Sequence, residues 1–349
     1  MERGYKMNFN TVYFLAFVAA LLISAAATPI FRLIAVKLNI FDRPITEIKT
    51  HKVSTPYLGG AAVAGSVFVS LCLIRLITDF PDGTLRSLRG IIYGSAIMFL
   101  LGLIDDIKFS GLGYKSKLVI QIIASSIAVF GFDIRINFIP IYWISCIVSI
   151  VWITGVSNAL NIIDIMDGLS SGIAVIASLA FFIISLPTEM IYVNFCALAL
   201  AGGIIGFMPY NLSKSKKIFL GDAGSLFIGF VLACLSLGTY YSSIADIGIF
   251  APLFILAIPL YETFLVSMFR IRKGQSPLLG SKDHYALRLE KMGWTRKKIL
   301  IVTYIVCALL AASAYLFTKL TVIFAGILLL AIILCLWSAS VKLASVKVE

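Results

Sequence analysis

Charge is scarce in this sequence, and histidine is nearly absent. Only 13% of its 349 residues are Asp, Glu, Lys or Arg and two are histidine, whereas 60% are hydrophobic. With a mean hydropathy of +1.01, the chain has too little polar surface to cover a water-soluble globule, so its solvent is lipid. Paired cysteine motifs are missing as well. Cys72, Cys146, Cys196, Cys234, Cys307 and Cys335 all lie in apolar stretches without a CxxC spacing, which argues against disulfides and zinc and leaves them as packing residues. No internal repeat, low-complexity tract or soluble appendage stands out, so residues 1–349 read as a single membrane domain.

What the sequence does hold is a series of apolar stretches. They recur about eleven times at the roughly 17 to 25 residues that a bilayer core demands, centred near Leu21, Val67, Met98, Ala124, Ile147, Val175, Ala199, Val231, Ile255, Ala308 and Leu328. The fold class expected is an all-α integral membrane protein, a polytopic bundle of about eleven transmembrane helices. The first stretch is too long and too weakly flanked by an A-x-A-like cleavage site to be a signal peptide, so it counts as a span.

The formal charge of +12 raises the question of nucleic acid. Basic loops on a membrane protein instead follow the positive-inside rule and meet anionic headgroups, so membrane lipids are the expected partner and nucleic acid is not. Alternate loops carry roughly 22 and roughly 7 of the basic residues, which puts the N-terminus outside and the C-terminus in the cytoplasm. Cytoplasmic loops then fall near residues 32–54, 105–117, 154–168, 209–222 and 270–298. They collect His51, His284, Asp105, Asp106, Asp164, Asp167 and Asp222, while the outer loops hold little beyond Asp79, Asp82, Asp133 and Asp246.

Four segments on the cytoplasmic side can carry chemistry. In LGLIDDIKFSGLGYKSKLVIQ, Asp105 and Asp106 end the third span and Lys115 and Lys117 open the fourth. Adjacent carboxylates at a membrane border are costly, and they persist when they meet water, a cation or basic partners. A solvated helix end is the plainer alternative. In NALNIIDIMDGL, Asn158, Asn161, Asp164 and Asp167 recur every three residues, so a continuous helix would project a column of oxygen ligands suited to magnesium. Polar packing between helices is the alternative there. KIFLGDAGSLFIGF sets Asp222 between a lysine run, Lys214, Lys216 and Lys217, and a new span. Gly221 and Gly224 would let backbone amides approach an anion, and Asp222 could instead cap the helix. Residues 270–298 carry Arg270, Arg272, Lys273, Lys282, Asp283, His284, Arg288 and Lys291, enough cationic donors to clamp phosphates.

Taken in order, HKVSTPYLGG, GLIDD, KSKLVIQ, NALNIIDIMDGL, KIFLGDAGS and KDHYALRL resemble the polyprenyl-phosphate N-acetylhexosamine-1-phosphate transferase family across nearly the whole chain. The resemblance implies an enzyme of the inner (cytoplasmic) membrane. It would transfer a sugar 1-phosphate from a UDP-sugar donor to undecaprenyl or another polyprenyl phosphate and release UMP. Magnesium is the implied cofactor, with manganese able to substitute, and the implied assembly is a homodimer. By motif, Asp222 and Asn161 resemble magnesium ligands, and Asp222 with Asp105, Asp106 and His284 the catalytic set. Lys52 and Lys117 resemble pyrophosphate contacts, and Asp167 and Phe219 the uracil-binding positions. Asn158, Asp164, Arg270, Arg272 and Arg288 are further expected substrate contacts. Departures are Ile165, where glycine is usual, and Ala286 and Leu287, where further histidines are usual. TPYLGG and the GLGYKSK spacing resemble the UDP-MurNAc-pentapeptide branch, whereas His284, nine positions before Gly293, resembles the UDP-GlcNAc branch, which is favoured. A transporter or flippase would need polar residues near the bilayer midplane, and only Glu262 lies within a span.

Overall fold

A computed structural model describes residues 9–43, 53–78, 83–108, 111–188, 191–239, 246–276 and 282–346. The chain is a helical bundle: α1 Phe9–Lys37, α2 Gly59–Ile77, α3 Thr84–Ile107, α4 Tyr114–Ser126, α5 Tyr142–Ile163, α6 Leu169–Ser185, α7 Ile191–Asn211, α8 Gly221–Gly238, α9 Ala251–Ile255, α10 Ala257–Arg272, α11 Tyr285–Lys291, α12 Arg296–Phe317 and α13 Val322–Ala344. Between α1 and α2, the short strands β1 Phe41–Asp42 and β2 Thr55–Pro56 pair antiparallel, with Phe41 opposite Pro56.

Every apolar centre expected from sequence falls on a helix or, at Ile255, at the end of one, but not all of these helices are full spans. Among the described residues eight are long and apolar enough to cross a membrane, or nine if the α9–α10 pair counts as one. That pair bends by 65° at Leu256. Pro259 has no N–H to give the Ile255 carbonyl four residues back, which weakens the helix at this bend. α6 has 17 residues, and α4 has 13 before it loosens into a π-helical turn at Ile127–Gly131. The protein is an all-α, multi-pass membrane protein.

α8 is the axis of the bundle. Every residue from Ala223 to Ser236 is buried, with α3, α5 and α2 packed around it. α13 is the opposite case, with only Ala325 and Leu343 buried and an apolar surface from Val322 to Trp337 exposed as lipid would require. Cys146, Cys196, Cys234 and Cys307 are buried packing residues, whereas Cys72 and Cys335 face outward, which corrects the uniform packing role expected for the six.

Small residues let the backbones at the start of α8 come together. Gly59 and Gly60 donate their N–H groups to the carbonyls of Phe219 (3.0 Å) and Leu220 (2.8 Å). A Cβ on Gly60 would lie 2.2 Å from the Gly224 nitrogen, and one on Gly102 of α3 would lie 2.3 Å from the Ala223 nitrogen. The first turn of α8 is thus clamped between α2 and α3. Its neighbours at this end of the bundle are the last turns of α1, α3, α5 and α7 and the first turns of α2, α4 and α12. Val346 closes on the same end through Arg288, so Phe9 and Val346 lie at opposite ends of the bundle.

Gly60→Ala should therefore lower the melting temperature of the detergent-purified protein, since overpacking against rigid backbone costs at least about 1–3 kcal/mol. Gly65→Ala on the same helix, where a Cβ meets nothing within 4 Å, should leave it unchanged.

Candidate active site

The two adjacent carboxylates that close α3 diverge, because successive residues on a helix point about 100° apart. Asp106 turns to the start of α8, where its oxygens accept the N–H groups of Asp222 (2.9 Å) and Ala223 (3.0 Å). Asp106 thus caps α8 from another helix and meets its positive end. Gly221 makes this approach feasible: its φ is +74°, and a Cβ there would sit 2.4 Å from Asp106 Oδ2. The expected anion site at this helix start is consequently filled by the protein's own carboxylate, and Asp106, not Asp222, is the cap.

Asp105 turns the other way. It accepts the Leu112 N–H at 2.5 Å and pairs with Lys117 Nζ at 2.7 Å. Lys117 also reaches Asp222 Oδ2 at 2.6 Å, so one ammonium from α4 holds the carboxylates of α3 and α8 together. Like charges this close need such a counter-charge. Asn161 of α5 hydrogen-bonds Asp222 as well and donates to Ser225 Oγ at 3.0 Å.

The expected column of oxygen ligands is broken. α5 ends at Ile163, and Asp164 leaves the helix with φ −78° and ψ 57°, so Asp164 and Asp167 belong to the following turn. Asn158 lies deeper, exchanging amide hydrogen bonds with Gln121 of α4 (2.7 and 3.2 Å) and donating to the Thr154 carbonyl (2.9 Å). These are interhelical polar packing contacts, and Asn158, expected as a substrate contact, does not line the cleft. Asp164 accepts a hydrogen bond from Ser170 Oγ at 2.6 Å, and burial pushes its carboxyl up to about 7. Asp167 pairs with Lys217 at 2.6 Å, and the Lys217 ammonium stands 5.0 Å from the centre of the Phe219 ring. Tyr57 leans on that ring from 6.2 Å, and burial, then Asp42, raise its phenol above the ordinary range.

Tyr57, Asn161, Asp164, Asp167, Lys217, Phe219 and Asp222 open onto one cleft of about 220 Å³. Of the residues expected from sequence it gathers Asn161, Asp164, Asp167, Phe219, Asp222 and His284, with Asp105, Asp106 and Lys117 grouped around Asp222. It adds Asp42, Tyr57, Lys217 and Arg296, to which the sequence reading gave no site role. Tyr57 lay within the TPYLGG motif and Lys217 within the lysine run, whereas Asp42 and Arg296 lay in the expected cytoplasmic loops 32–54 and 270–298 but in none of the motifs.

The basic loop supplies less than expected. Arg288 is turned inward: it bonds Asp283 at 2.8 Å, the Leu343 carbonyl at 3.1 Å and the Val346 carbonyl, and stacks on Phe269 at 3.8 Å. Arg270 is buried, Arg272 is exposed, and neither lines the cleft. None of the three arginines expected as substrate contacts lines the cleft. α10 carries the first two away from the cleft, and Arg288 ties α11 to the end of α13. His284 does reach the cleft, as the residue before α11. Lys52 and His51 lie outside the described residues.

A hard cation would find oxygen donors in Asp222 and Asn161. Among the described residues no three His, Cys, Asp or Glu side chains form a ready cage. A cation held here would complete its shell with water and phosphate oxygens, which is magnesium's habit.

The cleft thus gathers acids, a lysine and aromatic rings at one end of the helical bundle. Residues 88–240, α3 through α8, match the model of glycosyl transferase family 4. The probable undecaprenyl-phosphate N-acetylglucosaminyl 1-phosphate transferase of Bacillus subtilis (strain 168) is 29% identical over 315 residues, covering 88% of this chain and 85% of that relative. The decaprenyl-phosphate N-acetylglucosaminephosphotransferase of Mycobacterium tuberculosis is 27% identical over 345 residues, 89% and 84% of the two chains. The phospho-N-acetylmuramoyl-pentapeptide-transferase of Bacillus cytotoxicus is 31% identical over 317 residues, 84% and 93%. The chain belongs to glycosyl transferase family 4.

The raised carboxyl of Asp164 has a measurable consequence. Its folded value, about 7, exceeds that of an unfolded carboxylate, so the folded state binds the extra proton and the group destabilises the fold increasingly from about pH 4 to pH 7. Asp164→Asn keeps the acceptor for Ser170 and cannot ionise. Its melting temperature relative to wild type should be several degrees higher at pH 8 than at pH 5, and a smaller difference at pH 8 would show that Asp164 ionises at ordinary pH.

Proposed function

We propose that this protein transfers N-acetylhexosamine 1-phosphate, with GlcNAc as the sugar, from a UDP-sugar to undecaprenyl or another polyprenyl phosphate, releasing UMP. One observation carries the proposal: in a family 4 chain, the Asp105–Lys117–Asp222 cluster, through Asp222, and the Asp167–Lys217–Phe219 group reach a single cleft. The first is suited to phosphates and the second to a flat, hydrogen-bonding ring such as uracil.

Donor pyrophosphate and acceptor phosphate are both anionic, so the barrier lies largely in bringing like charges together, and catalysis is electrostatic and positional. The acceptor is already mostly deprotonated, because the second pKa of a phosphate monoester is about 6. One of its oxygens attacks the sugar-bearing phosphorus. A new P–O bond forms, the bond from that phosphorus to the bridging oxygen breaks, and UMP leaves with the electron pair. Lys117 supplies positive charge between Asp105 and Asp222, and it can turn from the carboxylates to the phosphates as they arrive. Asp105 orients the acceptor. Asp106 keeps the first turn of α8 in place, and Phe219 with Asp167 holds the base. Asp222 and Asn161 would hold magnesium, with manganese able to replace it, and the ion when bound would neutralise charge on the phosphates.

In the same proposal the bundle crosses a cytoplasmic membrane about eleven times, with the broken α9–α10 pair, α4 and α6 as crossings, the N-terminus outside and the cleft and C-terminus on the cytoplasmic face. The strong bias of basic residues toward the cleft end supports this orientation. Cysteine placed at Ser215, in a background without Cys72 and Cys335, should be protected from an impermeant maleimide in intact cells. Cysteine at Asn137 should be labelled. The reverse pattern would invert the topology. A homodimer belongs to the same proposal.

The test of activity is UMP release by detergent-purified protein given undecaprenyl phosphate, magnesium and a panel of UDP-sugars. Release should require lipid and magnesium, be greatest with UDP-GlcNAc, and fall by at least about 100-fold in Asp222→Ala and strongly in Asp105→Asn. Greatest release with UDP-MurNAc-pentapeptide would change only the sugar. A trapped phospho-aspartate would replace the single displacement with two, and no release from folded protein would overturn the proposal.

A further inference from the structure

Glu262 is fully buried in α10, and the chemistry described so far does not use it. An ionisable group inside a membrane bundle is costly and calls for a partner. Here both carboxylate oxygens serve the start of α11. Oε1 meets His284 Nδ1 at 2.8 Å, and Oε2 accepts the Tyr285 N–H at 3.2 Å. His284 in turn lines the cleft that holds Asp222, Asn161 and Asp164.

Anchoring alone does not account for this contact, because the loop has independent anchors. Asp283 pairs with Lys273 and Arg288, each at 2.8 Å. Tyr285 Oη bonds Thr303 Oγ1 of α12 at 3.0 Å, and Arg288 holds the Leu343 carbonyl at 3.1 Å. What only Glu262 supplies is an acceptor at His284 Nδ1. Oε2 already accepts the Tyr285 N–H; with Oε1 accepting likewise, Nδ1 carries the proton and Nε2 is the ring nitrogen left for a ligand.

We propose that Glu262 is a positioning residue of the transfer site, fixing the ring orientation and tautomer of His284 so that Nε2 is presented to the UDP-sugar. This rests on the function proposed above. It also gives a fully buried carboxylate of α10 a role at the cleft, not along a path through the membrane.

The experiment is a double-mutant cycle. UMP release is measured against UDP-sugar concentration for wild type, Glu262→Gln, His284→Ala and the double variant, with a melting curve for each. Glu262→Gln should lower kcat/KM by about 10-fold or more, as loss of an orienting partner does, with a melting temperature close to that of wild type. In the His284→Ala background it should cost nothing further. An unchanged kcat/KM in Glu262→Gln, or an equal additional loss in the double variant, overturns the proposal. If Glu262→Gln does not fold, Glu262→Asp enters the same cycle. The chain has two histidines, so a spectrum of protein labelled with nitrogen-15 histidine, assigned with His284→Ala, reads the tautomer directly. A proton on Nδ1 is expected, and an unprotonated Nδ1 sinks the inference. Absence of UMP release from wild type with Nδ1 protonated would instead count against the proposed function alone.

Discussion

The structure depends on holding acidic groups together where a membrane bundle meets water. Three carboxylates converge at the first turn of α8, and each has a distinct compensation: backbone N–H groups for Asp106, a loop N–H and Lys117 for Asp105, and Lys117 with Asn161 for Asp222. Removing one partner of this half-buried network leaves the others undercompensated, which costs more than an exposed ion pair contributes. The close glycine contacts among α2, α3 and α8 follow from this requirement, because side chains of ordinary size would keep the capping carboxylate from its amides.

The same network explains how a rigid bundle can offer a reactive site. α8 is buried from Ala223 to Ser236, so its first turn is fixed by packing against α2 and α3, and a site built on helix ends is held more firmly than one built on loops. What sits across the cleft is different in kind. His284 comes from a segment after a broken span, secured by Glu262, Asp283 and Arg288. The break at Leu256 redirects α10, which places a buried carboxylate beneath that segment.

Where sequence reasoning failed, it failed for geometric reasons. The three-residue spacing of Asn158, Asn161, Asp164 and Asp167 suggested one helical face, but α5 ends at Ile163 and divides the set between packing and cleft. The arginines at 270, 272 and 288 suggested a phosphate clamp from composition alone. Nothing in their spacing showed that Arg288 would spend its donors on Asp283 and the end of α13. Asp42 and Arg296 reach the cleft from a strand and from the first turn of α12, positions separated in sequence from every motif.

Local properties of the chain were legible without a structure: hydropathy set the helices and the membrane, and the order of short motifs set the family and most of the polar residues at the cleft. Those signals are periodic or contiguous, and they survive in a linear string. Tertiary structure alone decided which of two neighbouring aspartates caps a helix and which faces Lys117, because one step along a helix turns a side chain by about 100°. It also decided that Glu262, an isolated charge in an apolar run, stands against His284. The two are brought together by a bend and a return of the chain, and no local pattern records that pairing.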